Sequence, residues 1–224
     1  MVTSAGTQLV IRTLHRDDIA AVSAIHMKAF PHRAMSALGE DVLVRYYTWL
    51  MDDTHREAQC IGAFADSTLV GFCFGGRYNG AMTGFLQRNR NFLIAKVISR
   101  PWLLVTNELF YSRIGMALRI LKPATNANRR TLSSEESAAR AAYLRGFGIL
   151  AIAVDPTTQG RGVGKLLMAS AEAEARRRHI DYMNLSVDMD NAQAIRFYEH
   201  LGWVKVMSDS SWSGEMRKSL KPSP

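Results

Sequence analysis

Between Asp155 and Leu167 the chain reads D-P-T-T-Q-G-R-G-V-G-K-L-L. Gly160, Gly162 and Gly164 alternate with Arg161 and Val163, and Lys165 follows. Glycine admits left-handed backbone and lets a ligand approach the main chain closely. The amides that open a helix lack intrahelical acceptors, and with the helix dipole they hold anions. Arg161 and Lys165 add positive charge. An apolar run precedes the stretch and another follows it, so the pattern predicts an anion site at a strand–loop–helix junction. A glycine-rich turn that binds nothing is the plain alternative.

Counting excludes two familiar phosphate loops. A nucleoside triphosphate loop has a glycine five residues before its Gly-Lys pair and Ser or Thr after it. Gln159 and Leu166 occupy those positions, so the hydroxyl that would ligate magnesium is missing. The dinucleotide fingerprint needs G-x-G-x-x-G. Here the third glycine comes one residue early, and no acidic residue ends a strand about 20 positions on.

The elements that must hold this loop follow from periodicity and punctuation. Phe147–Val154 is an apolar run between Gly146 and Pro156 and reads as a buried central strand. Gly164–Arg178 reads as a helix with Leu166, Leu167, Ser170 and Ala173 inward, and Arg176, Arg177 and Arg178 at the end where the dipole favours cations. Tyr182–Val187 is a strand, Asn191–Leu201 a short helix ended by Gly202, and Val204–Met207 and Trp212–Met216 are closing strands. Upstream, Leu9–Arg12 alternates as a strand. Asp17 or Asp18 caps a helix with Ile19, Val22, Ile25, His26 and Ala29 recurring at helical spacing, and Phe30-Pro31 ends it. Val42–Leu50 is a second helix. Ala58–Phe64 and Leu69–Gly75 flank Ala65–Thr68 as a hairpin. With Asp66-Ser67 as its two-residue loop, Cys60 falls opposite Cys73, a register that permits a disulfide; two reduced core cysteines are the preferred reading.

The 224 residues and 47% apolar content suit one folded domain with a real core. Two cysteines make no disulfide scaffold, no secretory signal opens the chain, and no apolar run reaches the ~20 residues that span a bilayer. A reducing, cytoplasmic setting is expected. The net charge of +8 is local: residues 76–145 hold twelve Lys and Arg against three acids. This basic segment reads as an insertion of two or three helices, with apolar stretches Phe92–Ile98 and Trp102–Leu121, a polar loop over Asn126–Glu135, and Ser133 or Ser134 capping a last helix. Solvated helix faces are the bland reading of the charge. No aromatic-interleaved recognition element accompanies it, so nucleic acid is not expected.

Gln159-x-x-Gly162-x-Gly164, directly after Ile152-Ala-Val-Asp-Pro156, resembles the acetyl-coenzyme A signature of the GNAT acetyltransferase superfamily. The stretch from Val187 to Trp203, V-D-M-D-N-A-Q-A-I-R-F-Y-E-H-L-G-W, resembles that superfamily's closing motif. The start, His26-Met-Lys-Ala-Phe-Pro31 with Leu38-Gly39, is similar to a bacterial subgroup associated with polysaccharide and amino-sugar genes. The resemblance implies an α/β (α+β) fold: a mixed, mostly antiparallel sheet flanked by helices, with a splayed central strand pair. It implies one acyl-CoA N-acyltransferase domain over residues 1–224, with the helical insertion at about 76–145 before the donor strand.

The resemblance also implies roles. Backbone groups of Ile152, Ala153 and Val154 would bond the pantetheine arm of acetyl-CoA. Gln159 and the amides of Gly160, Arg161, Gly162, Val163, Gly164 and Lys165 would hold its pyrophosphate. Asn191 would bond the pantetheine or fix the helix start, and Tyr198 would protonate the leaving thiolate. A phenol with a pKa near 10 is neutral at pH 7 and can donate to a thiolate whose conjugate acid lies near ~8.5. No metal is implied, and attack is direct in a ternary complex. Many relatives carry a Glu base on or near the donor strand. Phe147–Val154 has no acid, which leaves Asp188, His26, His32 or a water chain as base. The amine acceptor would sit against Phe30, His32, Tyr46, Tyr47 and Asp188. A small-molecule acceptor such as an amino sugar or a nucleotide-linked amino sugar is expected. A lipid-linked acceptor reached through peripheral membrane contact of the basic insertion, an oligomer contact, and a non-catalytic acyl-CoA sensor are the alternatives.

Overall fold

A computed structural model describes residues 8–52, 57–78, 80–100, 146–208 and 211–221. The expected helices over 102–121 and after 134, and the polar loop 126–135, lie outside the described residues. In chain order the elements are β1 (Leu9–Thr13), α1 (Ile19–Ala29), α2 (Ala34–Leu38), α3 (Glu40–Leu50), β2 (Ala58–Ala65), β3 (Thr68–Gly76), α4 (Ala81–Arg88), α5 (Arg90–Ile98), β4 (Phe147–Val154), α6 (Val163–Arg177), β5 (Tyr182–Ser186), α7 (Ala192–His200), β6 (Val204–Ser208) and β7 (Ser211–Ser219). The strands form one sheet in the order β1-β2-β3-β4-β5-β7-β6. Among the described strands only β4 and β5 run parallel; the other pairs are antiparallel. Among the described residues no helix is long and apolar enough to cross a membrane.

Each face of the sheet buries its own apolar cluster. Leu167, Met168, Ala171 and Ala175 of α6 pack with Cys73, Met183, Trp203 and Met216 on one side. Val22, Leu43, Tyr47 and Phe85 pack with Phe72 and Phe74 on the other. Strand β3 feeds both, because alternate side chains of a strand point to opposite faces: Phe72 and Phe74 go one way and Cys73 the other.

Three local expectations need correction. The hairpin loop is the two-residue turn foreseen, with Asp66 and Ser67 both at positive φ (46° and 71°), the geometry that matches strand twist. Yet Phe64 pairs with Leu69 while Ala63 pairs with Gly71, so Val70 is an extra residue and the register slips. Cys60 consequently faces Phe74, Cys73 faces Ile61, and both thiols are free. Asp18 does not cap α1 through its side chain. It pairs with Arg12 at 2.8 and 2.9 Å and accepts the His15 amide, closing a short 3-10 turn. Helix α6 begins one residue earlier than read and turns a different stripe inward: Val163, Leu167, Ala171 and Ala175, an i,i+4 row, with Met168. Leu166 and Ala173 are exposed. Gly71 explains the choice, since a Cβ there would meet Val163 at 3.0 Å and Leu167 at 3.2 Å; the helix sits down on a bare strand.

Candidate active site

Strands β4 and β5 pair only at Phe147–Ile149 against Met183–Leu185. Beyond that point they part. The cause is local: Gly75 pairs with Ile149 but Phe74 pairs with Ala151, so Leu150 bulges from β4. A bulge bends its strand and ends regular pairing. On the β5 side, the backbone of β4 from Leu150 to Val154 therefore borders a cleft rather than a neighbouring strand.

The glycine loop closes one end of this cleft. Asp155 accepts the Thr157 amide (3.0 Å) and hydroxyl (2.7 Å) and receives Lys28 Nζ at 2.9 Å. These bonds, that from Thr157 foremost, hold its carboxyl at about pKa 2. Its own amide donates to the carbonyl of Val70, the bulged residue of β3, which also accepts the Thr158 hydroxyl at 3.4 Å. The bulge thus anchors the loop. Gly160 (φ +78°) and Gly162 (φ +81°) are left-handed, and a Cβ placed at either meets no atom within 4 Å. These glycines serve the backbone path and leave the cleft side open. Gly164 differs: a Cβ there would meet Phe197 at 3.2 Å, so it lets α6 and α7 approach. Gly162 caps α6, and the first intrahelical bond runs from Leu166 to Gly162, leaving the amides of Val163, Gly164 and Lys165 without intrahelical acceptors.

A cavity of about 430 Å³ fills this end. Of the residues expected to hold a donor, Ile152, Ala153, Val154, Gln159, Gly160, Gly162, Val163, Gly164, Lys165 and Asn191 line it, as does Tyr198. Arg161 is exposed on the loop and lies outside the wall. Asn191 Oδ1 accepts the Ala194 amide at 3.0 Å, so its side chain fixes the start of α7. Tyr198 is held between Phe197 (5.2 Å) and Trp203 (5.9 Å), and Gly202, left-handed, turns the chain so that Trp203 can reach it. Burial raises the Tyr198 pKa above that of an ordinary phenol, so it is protonated at neutral pH.

A second cavity, about 480 Å³, opens on the other side of the splay. It shares Phe30, Ile152, Asn191, Ala194 and Tyr198 with the first, so the two meet there. Phe30, Tyr46, Tyr47 and Asp188 line it as expected; His32 is exposed and does not. Its neighbour Arg33 does, and donates to Asp188 through both terminal nitrogens, one at 2.8 Å. Asp188, a candidate base, is therefore an ion-pair partner. His26, another candidate, lines the cavity with Nδ1 2.6 Å from the Tyr47 hydroxyl; burial, then the charge of Arg33, lower its pKa to about 4. Arg33 and Met35, in the stretch Phe30–Leu38 expected to face the acceptor though not singled out there, also line the cavity, as does Met82 of α4, which sequence reasoning missed. Among the described residues no cluster of His, Cys, Asp and Glu could hold a metal ion.

The site thus combines a strand pair that parts at a bulge, a glycine loop and helix start at one end, and a buried tyrosine where two cavities meet. Residues 129–203 match the sequence model of the Acetyltransferase (GNAT) family. A mycothiol acetyltransferase from Beutenbergia cavernae is 41% identical over 58 residues, 26% of this chain and 20% of that protein. The chain spans about a fifth of the length of the curated relatives matched first. The fold is similar to that of the ribosomal-protein-S18-alanine N-acetyltransferase from Escherichia coli (TM-score 0.54, 14% identity, 97% of each chain). It is also similar to that of the PaiA N-acetyltransferase from Thermoplasma acidophilum in complex with coenzyme A (TM-score 0.54, 14% identity, 95% of this chain and 99% of that one).

Proposed function

We propose that the chain is an acetyl-CoA-dependent N-acetyltransferase acting on the primary amine of a small molecule such as an amino sugar or a nucleotide-linked amino sugar, with one catalytic domain over residues 1–224. The observation that carries this reading is the meeting of two cavities at Ile152, Asn191, Ala194 and Tyr198, one bordered by an anion-binding helix start and the other by aromatic side chains. Relatives named mycothiol acetyltransferase support the transfer of an acetyl group. The free thiols of Cys60 and Cys73 fit a reducing, cytoplasmic compartment.

The open space beside Gly160 and Gly162 fits a pyrophosphate, which the amides of Val163, Gly164 and Lys165 and the charge of Lys165 would hold. The unpaired edge of β4 beyond Ile149 suits an extended arm that hydrogen-bonds like an added strand. Acetyl-CoA would supply an activated acetyl thioester at the junction, for direct attack by the neutral amine in a ternary complex: the C–N bond forms as the C–S bond breaks, and the proton the nitrogen loses would pass to water. The Tyr198 hydroxyl keeps its proton at neutral pH and would deliver it to the departing sulfur. Asn191 sets the start of α7 and so the position of Tyr198.

Release of free thiol from acetyl-CoA, measured against amino sugars, amino-sugar nucleotides, polyamines and peptide N-termini, tests the proposal. Amine-dependent release is expected with amino sugars. Tight coenzyme A binding with no amine accelerating release would refute it in favour of an acyl-CoA sensor.

A further inference from the structure

The acceptor cavity has an imidazole in its wall whose proton is positioned from behind. Tyr47 is fully buried, and its hydroxyl lies 2.6 Å from His26 Nδ1. Burial, with neighbouring Tyr46, raises the Tyr47 pKa well above the usual value, so the oxygen keeps its proton. A buried hydroxyl left unpaired costs about 1–3 kcal/mol. Donation to Nδ1 satisfies it, and a neutral imidazole whose Nδ1 accepts carries its own proton on Nε2.

The ring is held in this state. Burial and the Arg33 charge keep it neutral. Phe30 meets it edge-on at 5.0 Å and 66°, and Tyr47 at 5.7 Å and 65°. His26 is partly exposed and lines the cavity, and the bond to Tyr47 occupies Nδ1, which leaves Nε2 as the ring nitrogen free for a ligand.

We propose that His26 is a specificity-determining residue: Tyr47 fixes its Nε2–H form, and that N–H donates to a hydroxyl oxygen of the acceptor, making the substrate class a hydroxylated, sugar-like amine. The inference rests on the acetyltransferase reading and deepens it. The remaining wall agrees with such a ligand. Phe30, Met35 and Met82 offer apolar surface for the carbon face of a ring, and Arg33, the one guanidinium among the described lining residues, is charge-compensated by Asp188. His26 thus leaves the role of base and becomes a donor, with Tyr47 as its positioning residue.

Two measurements test this. In long-range proton–nitrogen NMR spectra of the ¹⁵N-labelled protein between about pH 6 and 8, well above the His26 pKa of about 4, His26 should show an unprotonated Nδ1 and a protonated Nε2 throughout. Tyr47→Phe should let the Nδ1–H form appear. In the thiol-release assay, trans-2-aminocyclohexanol and cyclohexylamine differ by one hydroxyl. The wild type should favour the former about tenfold in kcat/KM, the yield of one good hydrogen bond. His26→Phe should lose the preference and His26→Gln, which restores an N–H donor, should regain part of it. An Nδ1–H or charged ring at pH 7, or equal rates for the two amines, overturns the proposal alone. No thiol release with any amine overturns the acetyltransferase reading and the proposal with it.

Discussion

Replacing Gly162 by alanine separates a loop that binds an anion from a loop that only turns. Gly162 has φ +81°, and a Cβ there meets no atom within 4 Å. The folding cost is therefore backbone strain alone, about 1–2 kcal/mol for an L-residue held left-handed. At this chain length about 1 kcal/mol moves Tm by roughly 2–4 °C, so the unliganded variant should melt about 2–8 °C below wild type. The binding cost is separate. The new methyl occupies the open cleft beside the α6 start, where the phosphates would lie. Coenzyme A at a hundredfold excess over Kd stabilises a protein by about 2.7 kcal/mol, or roughly 5–11 °C by the same conversion. We expect Gly162→Ala to raise the coenzyme A Kd at least tenfold, removing about 1.4 kcal/mol of that stabilisation. Thermal melts with and without coenzyme A, backed by titration calorimetry, read both quantities. Gly160→Ala, with φ +78° and the same open surroundings, is the matched control and should behave alike. A lower unliganded Tm with an undiminished coenzyme A shift would mean that the glycines only turn the chain, and the anion-binding reading of the loop would be refuted.

Tyr198→Phe keeps the ring packed between Phe197 and Trp203 and removes only the hydroxyl. Turnover should fall about 10²-fold or more, with coenzyme A affinity within about twofold of wild type; unchanged turnover removes Tyr198 as the acid. Because the phenol acts in its protonated form and burial raises its pKa, the wild-type rate should not decline through phenol ionisation up to about pH 10. Asp155, held at about pKa 2 by Thr157 and Lys28, contributes stability that is fully present above its unfolded pKa near ~3.9 and is lost as pH falls through about 2. Urea denaturation at stepped pH should show that acid-side loss in wild type and not in Asp155→Asn. Gly214→Ala places a Cβ 2.3 Å from the Val187 carbonyl at φ +91°; we expect about 3 kcal/mol of destabilisation in urea, and a raised acceptor KM because Val187 and Asp188 line the acceptor cavity.

The donor half of the site was legible because its chemistry is coded locally. Left-handed backbone selects glycine, a helix start follows within two residues, and the Leu201-Gly202-Trp203 turn that supports Tyr198 is contiguous with it. The individual strands and helices followed for the same reason, since buried strand runs and helix periodicity are short-range signals; the fold class came from the resemblance of the two motifs. The acceptor half was legible in part: Phe30, Tyr46, Tyr47 and Asp188 line its cavity, but the pairing that shapes the wall was not. Arg33 and Asp188 are 155 residues apart, and nothing in either stretch announces the pair. The sequence pointed to His32, one residue from the side chain that lines the cavity. The hairpin illustrates the limit more sharply. Its turn residues were read correctly, but the bulge at Val70 moved every pair beyond it by one place. A bulge is stabilised by what donates to its freed carbonyl, here the Asp155 amide, far along the chain.

That long-range dependence gives β3 a role beyond filling the core. The extra residue in β3, Val70, fixes the glycine loop through Asp155 and Thr158, while the extra residue opposite β3, Leu150, turns β4 away from β5 and opens the junction. One strand therefore references both the donor loop and the splay. Its burial makes it a firm reference, since Phe72, Cys73 and Phe74 are fully buried, with aromatic neighbours on one face and α6 on the other. Interiors packed this closely do not deform continuously. The distance between the helix start at Gly162 and the junction at Ile152 and Tyr198 is thus set by the sheet, and Lys28 of α1, paired with Asp155, ties the helix that carries His26 to the same loop.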